Sequence, residues 1–264
     1  MGNYFFPWFV LKWFLRDLLA RPGVIRQDGV CFRLIVNNWI THFRWFLFEK
    51  KEPEVRYFIK KYVRSNDVFF DIGANVGVFS IYAALKNPDL EVHCFEPEPS
   101  NCQLLKENLL LNRLSTRVII NSIGVSDVGG LSDLWLQDVT PGAALHVESR
   151  KKTERTTEGN RPIVSQIGIY ATSIDEYSEF RRVVPNWLKI DTDGNELKIL
   201  TGARAVLTHD EFFGMIIEMP PDQNEADSCR QILEANNLVQ IDYPYPVSRN
   251  QIWVKDSSQS NNEV

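Results

Sequence analysis

Asp71, Gly73, Asn75 and Gly77 occupy alternate positions in VFFDIGANVGVFS (residues 68–80), where an apolar strand gives way to a glycine-bearing loop and then to an apolar helix. Loops of this form hold nucleotide-containing cofactors, and the residue types discriminate among them. A dinucleotide loop needs G-x-G-x-x-G: the second glycine lets a pyrophosphate approach the backbone and the third lets the helix pack closely. Begun at Gly73, that frame puts Asn75 and Val78 where glycines belong, and Asp71 would set a like charge beside a pyrophosphate. A cationic sulfonium makes the opposite demand, since a carboxylate at the strand end attracts it. Asparagine also tolerates a left-handed backbone in place of a middle glycine. The spacing D-x-G-x-N-x-G therefore favours S-adenosylmethionine. Glu96 ends the next strand and suits both ribose hydroxyls of any nucleoside, so it supports a nucleoside without choosing between S-adenosylmethionine and NAD.

These residues need a scaffold that brings strand ends together. From Val68 onward the chain alternates apolar strands and helices. Strands are expected at 68–70, in EVHCFE, RVIINSIGV, NWLKID, FFGMIIE and QIWVK, with a further extended piece in VGGLSDLWLQ. Helices are expected at 76–86, from Ser100 with Gln103 completing a capping box, in NELKILTGA up to Gly202, and at 228–236. Before them, VCFRLIVNNW reads as a strand and EPEVRYFIKKYV as a helix with Pro53 in its first turn. Alternation of this kind implies parallel pairing with right-handed crossovers, hence an α/β, doubly wound sheet. Ligands in such sheets lie beyond the carboxyl ends of the strands. That rule singles out Asp71, Glu96, residues 123–127, Asp191 and Glu218. Residues 137–162 are polar and long for a loop in a compact domain, so they are expected to be mobile or functional.

Composition bounds the rest. A chain of 264 residues with 44 % hydrophobic and 24 % charged residues suits one large domain with an extension. Its organisation is expected to be residues 1–64 as an N-terminal extension, 65–256 as the main domain and 257–264 as a disordered tail. A net charge of -5 argues against a nucleic-acid partner, and RKKTER (150–155) reads as a solvated loop. Cys31, Cys94, Cys102 and Cys229 form no metal or disulfide pattern, which fits a reducing, cytoplasmic setting. YFFPWFVLKWFLRDLL (4–19) is broken by Lys12, Arg16 and Asp17 before it could span a bilayer. It is expected to be an amphipathic helix packed on the protein's own core or a second subunit, with peripheral membrane or lipid-substrate contact as the other outcome.

With these residues in hand the sequence resembles the FkbM-type methyltransferases. The matching pieces are DIGANVGVFSIYAA, FEPEPSNCQLLKENLLLN, SIGVSDVGG, PGAALHV, TSIDEY, WLKIDTDGNELKILTGA and IIEM, in that order. The family's K-I-D-V-E-G-x-E stands here as Lys189 to Glu196, with Thr192 and Asp193 in the middle. The resemblance implies a class I methyltransferase fold: Rossmann-like, with a mostly parallel seven-stranded sheet and an antiparallel last strand. It implies O-methylation of a hydroxyl on a sugar, glycan or secondary metabolite, with S-adenosylmethionine as donor. Carried over by position, Asp71, Gly73, Asn75 and Gly77 line the methionine half, Glu96 the ribose, and Ser122, Ile123 and Asp127 the neighbourhood of the adenine.

A hydroxyl is a weak nucleophile, so a base or a metal is expected beside it. Asp191 is the first candidate, Glu218 the second, and His146 in the long loop the third. Asp191 could instead cap the helix that follows, and Asp191, Asp193 and Glu218 could gather Mg²⁺. Lys189 shares a strand face with Asp191, His93 reads as a packed strand residue, and Glu98 as a solvated one. Rival readings are a tRNA-base methyltransferase, an NAD-linked oxidoreductase and a non-catalytic cofactor-binding protein. The tRNA reading would call for a basic face or an added RNA-binding module.

Overall fold

The strands of the alternating segment assemble into one sheet. In the computed structural model, which describes residues 10, 11, 15, 21–144, 146–150, 162–246 and 248–256, its members are β3 (Val68–Ile72), β4 (Glu91–Phe95), β5 (Val118–Asn121), β10 (Trp187–Ile190), β11 (Gly214–Glu218), β12 (Leu238–Ile241) and β13 (Asn250–Lys255). The order is β12-β13-β11-β10-β3-β4-β5. All neighbours pair parallel except β13, which runs antiparallel to both β11 and β12. This is the seven-stranded, doubly wound sheet expected of a class I methyltransferase. Residues 4–19, apart from helical Val10, Leu11 and Leu15, lie outside the described residues, as do 151–161 and the tail.

Alternate residues of each buried strand feed two cores, one on each face. Phe69, Val92 and Ile216 enter one; Phe70, Ile72, Leu188 and Ile190 enter the other. The first core also takes Ile25 and Phe32 of the hairpin β1 (Gly23–Gln27) and β2 (Val30–Leu34), Phe48, and Val55, Phe58 and Ile59 of helix α2 (Pro53–Lys61). The segment before residue 65 therefore shares a core with the sheet. It also contains helix α1 (Trp39–Phe46), which sequence periodicity missed; a capping box of Asn38 and Thr41 starts it.

The remaining helices are α3 (Val78–Lys86), α4 (Pro99–Leu111), α5 (Ile174–Arg181), α6 (Glu196–Thr201), α7 (Arg204–Thr208) and α8 (Gln223–Ala235). Helix α4 does not begin at a Ser100 capping box. Pro99 takes the first turn, where its fixed φ and missing N–H cost nothing, and the Glu98 side chain caps it by accepting from Asn101 N at 2.6 Å. Glu98 is accordingly buried rather than solvated. Helix α8 begins five residues before its expected start because Asp222 accepts from Asn224 N and Glu225 N.

A second, four-stranded sheet was not legible as such. It holds β6 (Gly124–Val125), β9 (Ser165–Thr172), β7 (Gly130–Leu136) and β8 (Val147–Ser149), in that order. The expected long strand RVIINSIGV is split by Ser122 and Ile123 into β5 and β6, and β6 pairs with β9 instead of continuing the main sheet. The expected 137–162 loop is interrupted by β8, which leaves residues 137–144 and His146 as a strap between β7 and β8.

Candidate functional site

The carboxyl ends of β3, β4 and β10 open on a cavity of 330 Å³. The loop after β3 is shaped by three left-handed residues at alternate positions: Gly73 (φ 76), Asn75 (φ 50) and Gly77 (φ 82). Gly73 and Ala74 N–H both donate to Phe95 O at 3.0 Å, which fastens the loop to the end of β4. A Cβ on Gly73 would come within 1.8 Å of Asp191 O, so only glycine lets this loop lie against β10. Gly77 is a packing position: its Cβ would meet Leu105 Cδ1 at 2.2 Å, and it does not line the cavity.

Glu96 organises the next wall. Its carboxylate accepts from Asn75 N and Glu98 N, each at 2.9 Å, and from Asn101 Nδ2 at 3.4 Å. Burial pushes its carboxyl up to about 7 against the pull of these donors. The strap passes above. Its Ala143 O accepts from Asn75 Nδ2 (2.7 Å) and Asn101 Nδ2 (3.2 Å), and Gly142 N donates to Asn101 Oδ1 (2.7 Å). From α1, Arg44 Nε donates to Gly142 O at 2.9 Å, while Asn38 Nδ2, at the helix cap, donates to Pro141 O at 2.9 Å. His146 follows on the strap; burial lowers its pKa, and its Nδ1 is buried without a hydrogen-bond partner.

The β10 corner gathers charge. Lys189 is buried with Nζ 3.1 Å from Asp71 Oδ1 and 3.4 Å from Asp191 Oδ2. Burial raises the Asp191 carboxyl, but Lys189 first, then Glu218, Lys51 and Arg44, outweigh it and hold it below the usual range. Burial and then Asp191 push Glu218 up to about 8, although Arg249 Nη2 lies 2.9 Å from its Oε1. Carboxyl oxygens of Asp191, Asp193 and Glu218 all lie within 4.8 Å of one another. Glu196 Oε1 accepts from Thr192 N, Thr192 Oγ1 and Gly194 N, completing the turn into α6 as its sequence position suggests. Asp191 does not cap that helix; Asn195 is the cap residue and makes no side-chain capping bond.

Of the expected site residues, Gly73, Asn75, Glu96, Ile123, His146, Asp191 and Glu218 line the cavity. Four do not. Asp71 is buried behind the loop on Lys189 and Ser80, because the parallel register sets Lys189 directly beside it; it is neutralised there instead of facing the cavity. Gly77 packs on α4 as described. Ser122 lines a separate surface hollow beside Cys102. Asp127 lies past the end of β6 and pairs with Arg150 at 3.5 Å. His93 is packed in its strand, between Tyr177 and Glu91.

Sequence reasoning missed Asn101, Glu148, Asn195, Arg44, Lys51, Glu52 and Arg249, all of which line the cavity. Asn195 lies within the DTDGNE motif and was within reach; its Nδ2 donates to Val125 O at 2.6 Å and its buried Oδ1 has no partner. Arg44, Lys51, Glu52 and Arg249 come from outside the β/α alternation and carry no pattern of their own.

The cavity suits a nucleoside-containing cofactor. Phe95, Ile123, Val125 and Leu134 supply apolar wall for a base, Glu96 an acceptor for ribose, and the 73–76 backbone a close-fitting cradle that admits no Cβ at Gly73. The sheet order and this cavity define a class I, S-adenosylmethionine-dependent methyltransferase. Residues 71–239 match the Methyltransferase FkbM domain, more than half of the chain, and the protein belongs to that family. It is 34 % identical over 93 residues to the 31-O-demethyl-FK506 methyltransferase FkbM of Streptomyces tacrolimicus, a match covering 35 % of each chain. It is 26 % identical over 235 residues to the hexuronic acid methyltransferase AglP of Haloferax volcanii, covering 86 % of this chain and 89 % of the relative. It is also 31 % identical over 130 residues to a tRNA (guanine(37)-N(1))-methyltransferase of Leishmania braziliensis, covering 48 % of this chain and 17 % of that one.

Proposed function

We propose that this protein transfers a methyl group from S-adenosylmethionine to a hydroxyl oxygen of a sugar, glycan or other small polyhydroxylated acceptor. The observation that carries this reading is that one cavity joins the Gly73–Asn75–Glu96 cradle to a hydrogen-bonded carboxyl pair, Asp191 and Glu218. The bound cofactor supplies the electrophilic methyl. The chain must orient the hydroxyl and accept its proton. Asp191 and Glu218 hold one proton between them, and their upper titration near pH 8 suits a base that works close to neutrality. Lys189 keeps the Asp191 side of the pair anionic.

A polar acceptor fits the charged residues that Arg44, Lys51, Glu52, Asp193 and Arg249 add to the lining. The names of two relatives, a 31-O-demethyl-FK506 methyltransferase and a hexuronic acid methyltransferase, support an oxygen acceptor. Lys189 lies 3.4 Å from Asp191 and Arg249 2.9 Å from Glu218, cations in contact with two of the three carboxyls, so we assign this corner to proton transfer and not to Mg²⁺. His146 has Glu98, Asp138 and Arg44 as its charged neighbours, so we group it with the strap over the cofactor half. We take residues 65–256 as the methyltransferase unit and 1–64 as an extension that completes its acceptor end through Arg44, Lys51 and Glu52.

Calorimetric titration with S-adenosylhomocysteine and with NAD, followed by transfer of labelled methyl from S-adenosylmethionine into fractionated glycan, small-molecule and RNA pools, tests this. Binding of S-adenosylhomocysteine alone and label in a base-stable ether are expected. Binding of NAD alone, or label confined to RNA, overturns the reading.

A further inference from the structure

Helix α1 turns an aromatic stripe to solvent. Trp39, Phe43 and Phe46 stand at i, i+4 and i+7, one face of the helix, and are 69 %, 50 % and 68 % exposed. Single exposed apolar residues are ordinary, but three large aromatics in a row on one helix are not. The helix is held firmly by its other sides: Thr41 is buried in the capping box, and Trp45 Nε1 donates to Val24 O at 3.0 Å while its ring covers Gly23. Val10, Leu11 and Leu15, the described residues of the amino-terminal segment, are themselves 49 %, 46 % and 45 % exposed.

Charge identifies the occupant. With Arg44 and Lys51 turned to the cavity, residues 21–51 still carry four exposed cations, Arg21, Arg26, Arg33 and Lys50, against Asp28 and Glu49, in a chain whose net charge is -5. An aromatic helix face within a locally basic segment is the chemistry that seats a protein on an anionic bilayer: rings enter the headgroup region while lysines and arginines meet lipid phosphates. The face also adjoins the cavity, since Arg44 of α1 and Lys51 just beyond it both line the acceptor end and Asn38 at the cap holds the strap. Among the described residues no helix is long and apolar enough to cross a membrane.

We infer that the Trp39–Phe43–Phe46 face of α1 is a docking surface for bilayers that carry anionic lipid, holding the cavity mouth at the membrane. This stands apart from the identity of the reaction, because it is read from binding alone. The full chain is mixed with phosphatidylcholine vesicles, with and without phosphatidylglycerol, and floated on a density gradient. Flotation is expected only with phosphatidylglycerol, weakening as salt is raised. The variant Trp39→Ser/Phe43→Ser/Phe46→Ser should lower the bound fraction about tenfold while its melting temperature and its S-adenosylhomocysteine affinity stay at wild-type values. Lys50→Glu, a change at an exposed residue outside the cavity, should lower it too and serves alone where the triple variant does not fold. Failure of the wild-type protein to float overturns the inference, as does undiminished flotation of the folded variants. A wild-type dimer that becomes monomeric on the triple substitution, without flotation, would assign the face to a second copy instead.

Discussion

Lys189 Nζ and Asp71 Oδ1 lie 3.1 Å apart with both side chains buried, the two residues being in-register neighbours on parallel strands. The carboxylate that ends the cofactor strand thus serves a lysine, and through it the corner that holds Asp191. Removing the sole partner of a buried charge costs about 3–5 kcal/mol, but Lys189 also has Asp191 at 3.4 Å. Asp71→Ala is therefore expected to destabilise the fold by less, about 1–3 kcal/mol, whereas Lys189→Met, which leaves the buried Asp71 without its lysine, should cost the larger amount. Folded Lys189 has a raised pKa because Asp71 and Asp191 outweigh its burial, so the pair's contribution is full below its ordinary value of 10.5 and fades as the pH rises further. Urea denaturation of the three proteins at pH 7 checks the ordering; equal stability of Asp71→Ala and wild type would remove the structural role.

Gly73 is constrained twice, by φ 76 and by the 1.8 Å approach of its missing Cβ to Asp191 O. Gly194 also has positive φ, at 117, but open space around its Cβ position. Gly73→Ala should abolish measurable S-adenosylhomocysteine binding, because the clash is with backbone and the loop must move off β10. Gly194→Ala should cost only the backbone strain, about 1–2 kcal/mol, and keep binding. Calorimetry on both variants decides it: retained affinity in Gly73→Ala would mean that the loop does not need its contact with β10.

The contrast between these two glycines also shows what was legible in the sequence. Strand and helix alternation and the turn at Gly73, Asn75 and Gly77 follow from local pattern, which is what periodicity and spacing report; the antiparallel last strand came from the family resemblance. Asp71 marks the boundary. Its place at the strand end could be read, but the direction of its side chain depends on which strand lies beside β3, and Lys189 arrives from 118 residues away. The split of β5 from β6 was hidden because both halves are apolar and extended; only pairing with β9 separates them. Arg44, Lys51 and Arg249 were invisible for the same reason, since single cations in unrelated segments form no motif until the fold converges them.

Glu96 is expected to make both stability and cofactor affinity depend on pH. Its carboxyl titrates near 7 in the folded chain and near 4.5 when exposed. The folded state therefore binds this proton more tightly, and the contribution to stability falls as pH rises from about 4.5 to 7, by about 3 kcal/mol in all. Glu96→Gln should raise the melting temperature at pH 8 and leave it nearly unchanged at pH 4. It should also weaken S-adenosylhomocysteine, whose ribose hydroxyls would lose an ionised acceptor, and should abolish the rise in wild-type affinity between pH 6 and 8. Melting curves and calorimetry across that range test both; a wild-type affinity flat from pH 6 to 8 would remove Glu96 from the ribose contact.

The Asp191–Glu218 pair makes the sharpest prediction about turnover. Burial and the Asp191 charge hold the Glu218 proton until about pH 8, and a pair that still carries its proton is a poorer acceptor for another. Turnover is expected to rise with pH through a midpoint near 8. Glu218→Gln fixes the protonated form, so it should lose that midpoint and stay at the low-pH rate, with cofactor affinity unchanged. Asp191→Asn removes the anionic member and should lower kcat by about 10²–10⁴-fold, the usual worth of a positioned base. Arg249→Ala, by taking a cation from Glu218, should move the midpoint upward. The pH–rate profiles of the four proteins under saturating cofactor decide the assignment: a midpoint near 8 that survives in Glu218→Gln would place the titrating group elsewhere in the cavity.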